Sequence, residues 1–202
     1  MKLKTFFGVL MAVFAFSQVA CADESAAVKA KEGEDYTVID GAKGSSKPQV
    51  IEFFSYTCPH CFNMEGFLHK WEAKKPEAVS FKRVPVFLPQ VPHLTRAYYT
   101  AEVLNVMDNV HMAIFNQWHK EKRIVKNQAD LIPIFEAAGV SKEDFEKAYN
   151  SFAVESKVQH AKKLVRDFKV LSFPMFVVNQ KYKIENYKNL EYMLSEFPQQ
   201  VK

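Results

Sequence analysis

Apolar residues recur along this chain first at every second position and then at every third or fourth, and the changes of period divide it into elements. Tyr36 to Ile39 alternates like a short strand, and residues 41–48 carry turn and linker residues. Gln49 to Tyr56 (QVIEFFSY) reads as a buried central strand. From Pro59 onward Phe62, Phe67, Leu68 and Trp71 fall on one helical face, and Pro76 ends that helix. Residues 78–87 (AVSFKRVPVF) return to a strand pattern, with Val79, Phe81, Arg83 and Pro85 on one face. A strand, a helix of about four turns and a second strand predict a βαβ unit with parallel strands. From Pro92 to Phe168 the pattern is helical throughout. Asn127 and Ser141 are the expected N-caps, and Ser141 with Asp144 resembles a capping box. Gly139 ends the helix between them, and Pro133 is expected to kink it. Residues 172–184 (SFPMFVVNQKYKI) read as two short strands joined at Asn179-Gln180, and a helix from Lys188 to Phe197 follows. The predicted order is β, βαβ, a helical block, then ββα, with no internal repeat.

With 48% hydrophobic residues and 14% aromatics in 202, the chain can bury one substantial core, so one compact domain is expected. Its first residues read differently. Lys2 and Lys4 form a positive n-region, Phe6 to Phe16 an apolar stretch, and Ala20-Cys21-Ala22 a small-x-small cleavage site, the pattern of an export signal over residues 1–22. Cleavage would leave a soluble chain beginning at Asp23, with a polar, flexible leader over residues 23–34. The competing reading is a lipid-modified Cys21, against which Gln18 stands where such signals take an aliphatic residue. Without Lys2 and Lys4 the formal net charge falls from +4 to +2. The remaining Lys and Arg are scattered, which argues against a nucleic-acid partner.

Loss of Cys21 would leave Cys58 and Cys61, two residues apart directly after the central strand. The spacing suits a metal site, a structural staple or a redox pair. A structural zinc site closes with four protein ligands, and none of the six histidines stands at H-x3-5-H spacing to supply the other two, so no metal is expected. A disulfide across so short a loop restrains the unfolded chain by only roughly 2 kcal/mol, little use to a domain with its own core. Redox chemistry fits better. If a helix begins at Pro59, the Cys58 sulfur sits at its N-terminus, where unpaired N–H groups and the macrodipole favour the reactive thiolate. Cys61, one turn on and facing inward, would then resolve a mixed disulfide at Cys58. Pro59 preorganises the first turn, and His60 can place a donor or a positive charge beside the sulfur.

VIEFFSYTCPHC, the long helical block, NSFAVESKV (residues 150–158) and FPMFVVNQKY together resemble the DsbA family of periplasmic thiol-disulfide oxidoreductases, from about Glu34 to Phe197. The resemblance implies an α/β, thioredoxin-like fold with an inserted all-helical domain: residues 35–90 and 165–200 thioredoxin-like, residues 91–164 the insert. It implies a protein dithiol oxidase, monomeric and without a bound cofactor, that gives its Cys58–Cys61 disulfide to unfolded exported proteins. An inner-membrane, quinone-linked, DsbB-like partner would reoxidise it. It makes Pro174 a cis-proline facing the cysteines and lining a substrate groove beside Phe173. It also makes Glu52 a buried acid behind Cys61 that moves its proton, although residue type alone would place Glu52 at an edge or toward solvent. Two positions depart from the family pattern. Phe173 stands where Val or Thr is common, and Arg83 stands where some relatives carry a lysine paired with the buried acid. An arginine cannot release its proton and could hold Glu52 ionised. The alternatives are a disulfide reductase or isomerase, or a chaperone-like binding module working through the groove beside Pro174.

Overall fold

The computed structural model describes residues 29–201. The expected export signal, Cys21 and the first part of the leader lie outside them. Lys31 to Asp35 form a turn in which the Asp35 N–H donates to the Lys31 carbonyl at 2.8 Å and the Lys31 N–H to the Asp35 carboxylate at 2.9 Å. Hydrogen-bonded structure therefore starts ahead of Tyr36, earlier than composition predicts.

The sheet contains β1 (Tyr36–Val38), β2 (Gln49–Phe54), β3 (Ser80–Pro85), β4 (Met175–Val178) and β5 (Tyr182–Ile184), in the order β1-β5-β4-β2-β3. Only β2 and β3 are parallel, and α1 (Pro59–Glu72) connects them. β2 is buried from Val50 to Phe54 because both of its faces are covered, which is why its sequence is a near-continuous apolar run. Val50 packs with Leu68, Trp71, Phe176 and Leu194 on one side. Ile51 and Phe53 join the core on the other, where the Phe53 and Phe168 rings lie 5.7 Å apart.

Between β3 and β4 run α2 (Pro92–Val103), α3 (Met107–His119), α4 (Ile132–Ala137), α5 (Lys142–Tyr149) and α6 (Phe152–Asp167). Arg96 of α2 pairs with Glu155 of α6 and donates to the Tyr149 carbonyl at 2.6 Å, tying three of these helices together. This is a thioredoxin-like α/β fold carrying a helical insertion. After β5 come α7 (Leu190–Ser195) and α8 (Phe197–Gln200). The expected turn is present, with Asn179 and Gln180 at φ of 49° and 55°, the left-handed region that Asn tolerates better than most residues.

Three local expectations change. Pro133 does not kink a helix: the expected N-cap Asn127 stands one residue ahead of the actual N-cap, Gln128, of a 3₁₀ turn (Ala129–Leu131), its Oδ1 accepting from Ala129 N–H at 2.8 Å, and Pro133 lies in the first turn of α4, where its missing N–H leaves no bond unmade. Gly139, at φ 85°, terminates α4, and Ser141 caps α5 through Asp144 N–H at 3.1 Å. The last helix is interrupted at Glu196, because Pro198 cannot donate back along it and sits in the first turn of α8 instead. Finally, α1 buries Cys61, Glu65, Leu68 and Trp71, while Phe62 and Phe67 are only half-buried. The inner face of α1 includes an acid.

Candidate redox site

β2 ends at Phe54 and leads into a turn in which the Cys58 N–H donates to the Ser55 carbonyl at 3.1 Å and the Thr57 N–H to Ser55 Oγ at 3.2 Å. The turn delivers Cys58 as the N-cap of α1, with φ −87° and ψ 117°. Its Sγ accepts the Cys61 N–H at 3.3 Å, a place usually held by a Ser, Thr, Asp or Asn oxygen. Pro59 fills N1, so the helix starts immediately behind the sulfur. Both cysteines are free thiols, Cys58 with 7% of its surface accessible and Cys61 with none. Burial pushes the Cys61 thiol far up, so the sulfur at this position resists carrying charge.

Facing Cys58, the Phe173 carbonyl lies 3.5 Å from Sγ, and the Phe173–Pro174 peptide bond is cis. A cleft of about 390 Å³ adjoins this contact, lined by His60, Asn63, Met64, Phe173, Pro174 and Tyr187. The Tyr187 hydroxyl donates to the Pro174 carbonyl at 2.7 Å, fixing one wall. His60 is exposed on the cleft, and its ring makes no hydrogen bond to either sulfur. Among the described residues no group of His, Cys, Asp and Glu is arranged to hold a metal ion.

Beneath α1, the parallel register sets Glu52 of β2 beside Arg83 of β3. Glu52 is wholly buried, neither carboxylate oxygen receives a well-formed hydrogen bond, and Arg83 Nε approaches Oε2 at 3.3 Å without pointing at it. Burial raises the Glu52 carboxyl to about 8 against the opposing pull of Arg83. The expectation that Arg83 could hold Glu52 ionised is thus corrected. The guanidinium is shared: it also reaches Glu65 at 3.5 Å and Glu72 at 3.1 Å. Although burial pushes Glu65 up, contact with His111 and Arg83 outweighs it and holds that carboxyl below its usual range. His111 of α3 is itself held low by burial and extends the chain of contacts, with Nε2 3.2 Å from Glu65 and Nδ1 2.9 Å from the Tyr56 hydroxyl.

The structure brings Cys58, Pro59, Cys61, Phe173 and Pro174 together, with His60 at the rim, and sets Glu52 beside Arg83 beneath α1. Sequence reading missed Glu65, His111 and Tyr56. Glu65 follows Cys61 by four residues and so shares its helical face, and His111 lies among Val110, Ile114 and Phe115 on the apolar side of its helix. Those spacings were the available signals.

The model of the DSBA-like thioredoxin domain matches residues 49–196. The thiol:disulfide interchange protein DsbA of Burkholderia cepacia is 36% identical over 157 residues, covering 75% of this chain and 74% of that protein. Its counterpart in Pectobacterium carotovorum subsp. carotovorum is 36% identical over 178 residues, covering 86% and 85%. Among solved structures, a Pseudomonas aeruginosa DsbA variant gives a TM-score of 0.79 at 28% identity, across 85% of this chain and 98% of that one. A Proteus mirabilis DsbA variant, solved with the non-covalently bound peptide PWATCDS, gives 0.75 at 30% identity, across 85% and 100%.

Proposed function

The chain belongs to the DsbA-like thioredoxin family and is a thiol:disulfide oxidoreductase, and we propose that it works in the periplasm as a dithiol oxidase of newly exported proteins. In its oxidised form a client thiolate attacks Cys58 Sγ, the Cys58–Cys61 bond breaks, and Cys61 leaves as a thiolate. A second client thiolate then attacks the client sulfur of the mixed disulfide and displaces Cys58. The client gains one disulfide, and two electrons pass to the Cys58–Cys61 pair. A quinone-linked, DsbB-like membrane partner takes those electrons away.

Each nearby residue has a task in this sequence. Cys61, buried and reluctant to stay charged, takes up a proton as it leaves, and Glu52, largely protonated near neutral pH, is the acid to which this reading gives the task of supplying it. Pro59 preorganises the first turn of α1, whose N-terminus stabilises the displaced Cys58 thiolate, and His60 meets the client at the rim. Phe173 and Pro174 line the cleft that receives the client backbone. A relative solved with a cysteine-containing peptide supports a peptide client of this kind.

The observation that carries the reading is the place of the Cys58 sulfur: N-cap of α1, beside the Phe173 carbonyl and the cleft, while its partner sulfur is wholly buried. Equilibration of residues 23–202 with glutathione buffers tests it. A reduction potential well above about −180 mV, that of protein disulfide isomerase, is expected; a value near the −270 mV typical of thioredoxin would make the protein a reductase.

A further inference from the structure

We propose that His119, with His111, is a positioning residue for the redox pair: the two histidines of α3 hold Tyr56 by its backbone and its hydroxyl, and so set the turn that presents Cys58. The inference rests on the Cys58–Cys61 exchange reading above and adds to it a part played by the helical insertion.

Tyr56 and Thr57 are the central residues of the turn that runs from Ser55 to Cys58. Ser55 supports the turn from inside, through its carbonyl and its Oγ. The Tyr56 carbonyl is engaged from outside, by His119 Nε2 at 2.8 Å. A carbonyl can only accept, so Nε2 carries the proton. The same imidazole stacks on Phe62, with centroids 4.9 Å apart and planes inclined by 13°. Phe62 directly follows Cys61. One ring, the last residue of α3, therefore touches both flanks of the C-x-x-C segment, residue 56 before it and residue 62 after it. Two turns earlier on α3, His111 takes the other end of Tyr56. The Glu65 carboxylate lies 3.2 Å from Nε2 without the alignment of a hydrogen bond, and Nδ1 is hydrogen-bonded to the Tyr56 hydroxyl at 2.9 Å. Tyr56 is 2% exposed and packs edge-on against Phe54 and Phe115, so neither end has water as a substitute partner.

This grip bears unequally on the two redox forms. In the disulfide, the covalent bond itself keeps Cys58 beside Cys61. In the dithiol, the sulfur stays at the α1 N-terminus, accepting the Cys61 N–H, only as well as the preceding turn holds it there. The histidines therefore favour the dithiol and make the protein a stronger oxidant.

The test is the equilibrium in which protein dithiol and oxidised glutathione give protein disulfide and two reduced glutathiones, measured for wild type, His119→Ala, His119→Gln and Tyr56→Phe. His119→Ala is expected to move the constant about fivefold toward the protein disulfide, the equilibrium weight of one hydrogen bond. His119→Gln, whose amide nitrogen can occupy the Nε2 position and donate, returns it to within about twofold of wild type, and Tyr56→Phe moves it the same way by a smaller factor. A residue that merely packs destabilises both redox forms alike and leaves this constant where it was. An unchanged constant in folded His119→Ala overturns the proposal, as does an equal shift in the Ala and Gln variants. If His119→Ala does not fold, an unchanged constant in Tyr56→Phe overturns it. Wild type that fails to exchange with glutathione at all would instead overturn the redox reading beneath it.

Discussion

Glu52 is a costly side chain, a carboxyl with no accessible surface, no well-formed hydrogen bond and one third of an arginine. Its raised value means that the folded state holds the Glu52 proton more tightly than the unfolded chain does. Stability is therefore intact below the ordinary value of 4.5, falls as pH rises from there to about 8, and loses nothing more beyond. Each unit in that window is worth about 1.4 kcal/mol. Glu52→Gln, a neutral isostere, should match wild type in urea unfolding of the dithiol form at pH 4 and exceed it by a few kcal/mol at pH 9. Equal stability of the two proteins at both pH values would show that Glu52 is solvated or better paired than its surroundings indicate. The same substitution should flatten the pH dependence of thiol exchange if the carboxyl supplies the Cys61 proton, and an unchanged profile would remove Glu52 from the mechanism.

At the scale of elements, the site is the joint between β2, β3, α1 and α3, and Arg83 is the cation common to it. Its guanidinium reaches the one buried acid of β2 and two acids of α1, and this three-way fit needs a planar fork of donors. Arg83→Met should cost about 3–5 kcal/mol at pH 7, the usual penalty for stranding a buried charge, here the Glu65 carboxylate. Arg83→Lys, a point charge, should recover only part of it, and urea unfolding of both variants gives the measure. A loss below 1 kcal/mol for Arg83→Met would mean that His111 alone suffices for Glu65. This joint also marks where sequence stops being informative. The strands, α1 and the CPHC segment were legible because each is written in local signals: an apolar run, a proline at a helix start, a two-residue spacing. Glu52 was legible only through the family resemblance, since an acid inside VIEFF otherwise reads as an edge residue. The apolar setting of His111 signalled burial but not a site, and His119 carried no signal at all. Their partner, Tyr56, lies 55 and 63 positions away, and a histidine on an apolar helix face carries no local mark of what it will meet. Pro133 misled for the opposite reason: a helix-breaking residue looks the same whether it kinks a helix or begins one.

On the scale of the whole molecule, the central strand is covered on one face by α1 and the C-terminal helices and on the other by residues that include the helical insertion, so both layers meet at the turn before Cys58. A change in the redox state of two sulfurs is therefore felt by the whole fold. The unfolded chain supplies the reference: there the same two cysteines form an ordinary disulfide, without the helix N-terminus, the buried Cys61 or the α3 histidines. By closure of the cycle, whatever makes the folded disulfide easier to reduce than the unfolded one must make the folded dithiol more stable than the folded disulfide. If the folded potential lies 90 mV or more above that of an unstrained pair, the dithiol gains about 4 kcal/mol, since 30 mV is about 1.4 kcal/mol for two electrons. Reduction should therefore raise the urea midpoint of this protein at pH 7, the reverse of what a structural disulfide does. A midpoint that falls on reduction would identify the Cys58–Cys61 bond as a staple, and the oxidase reading would fail with it.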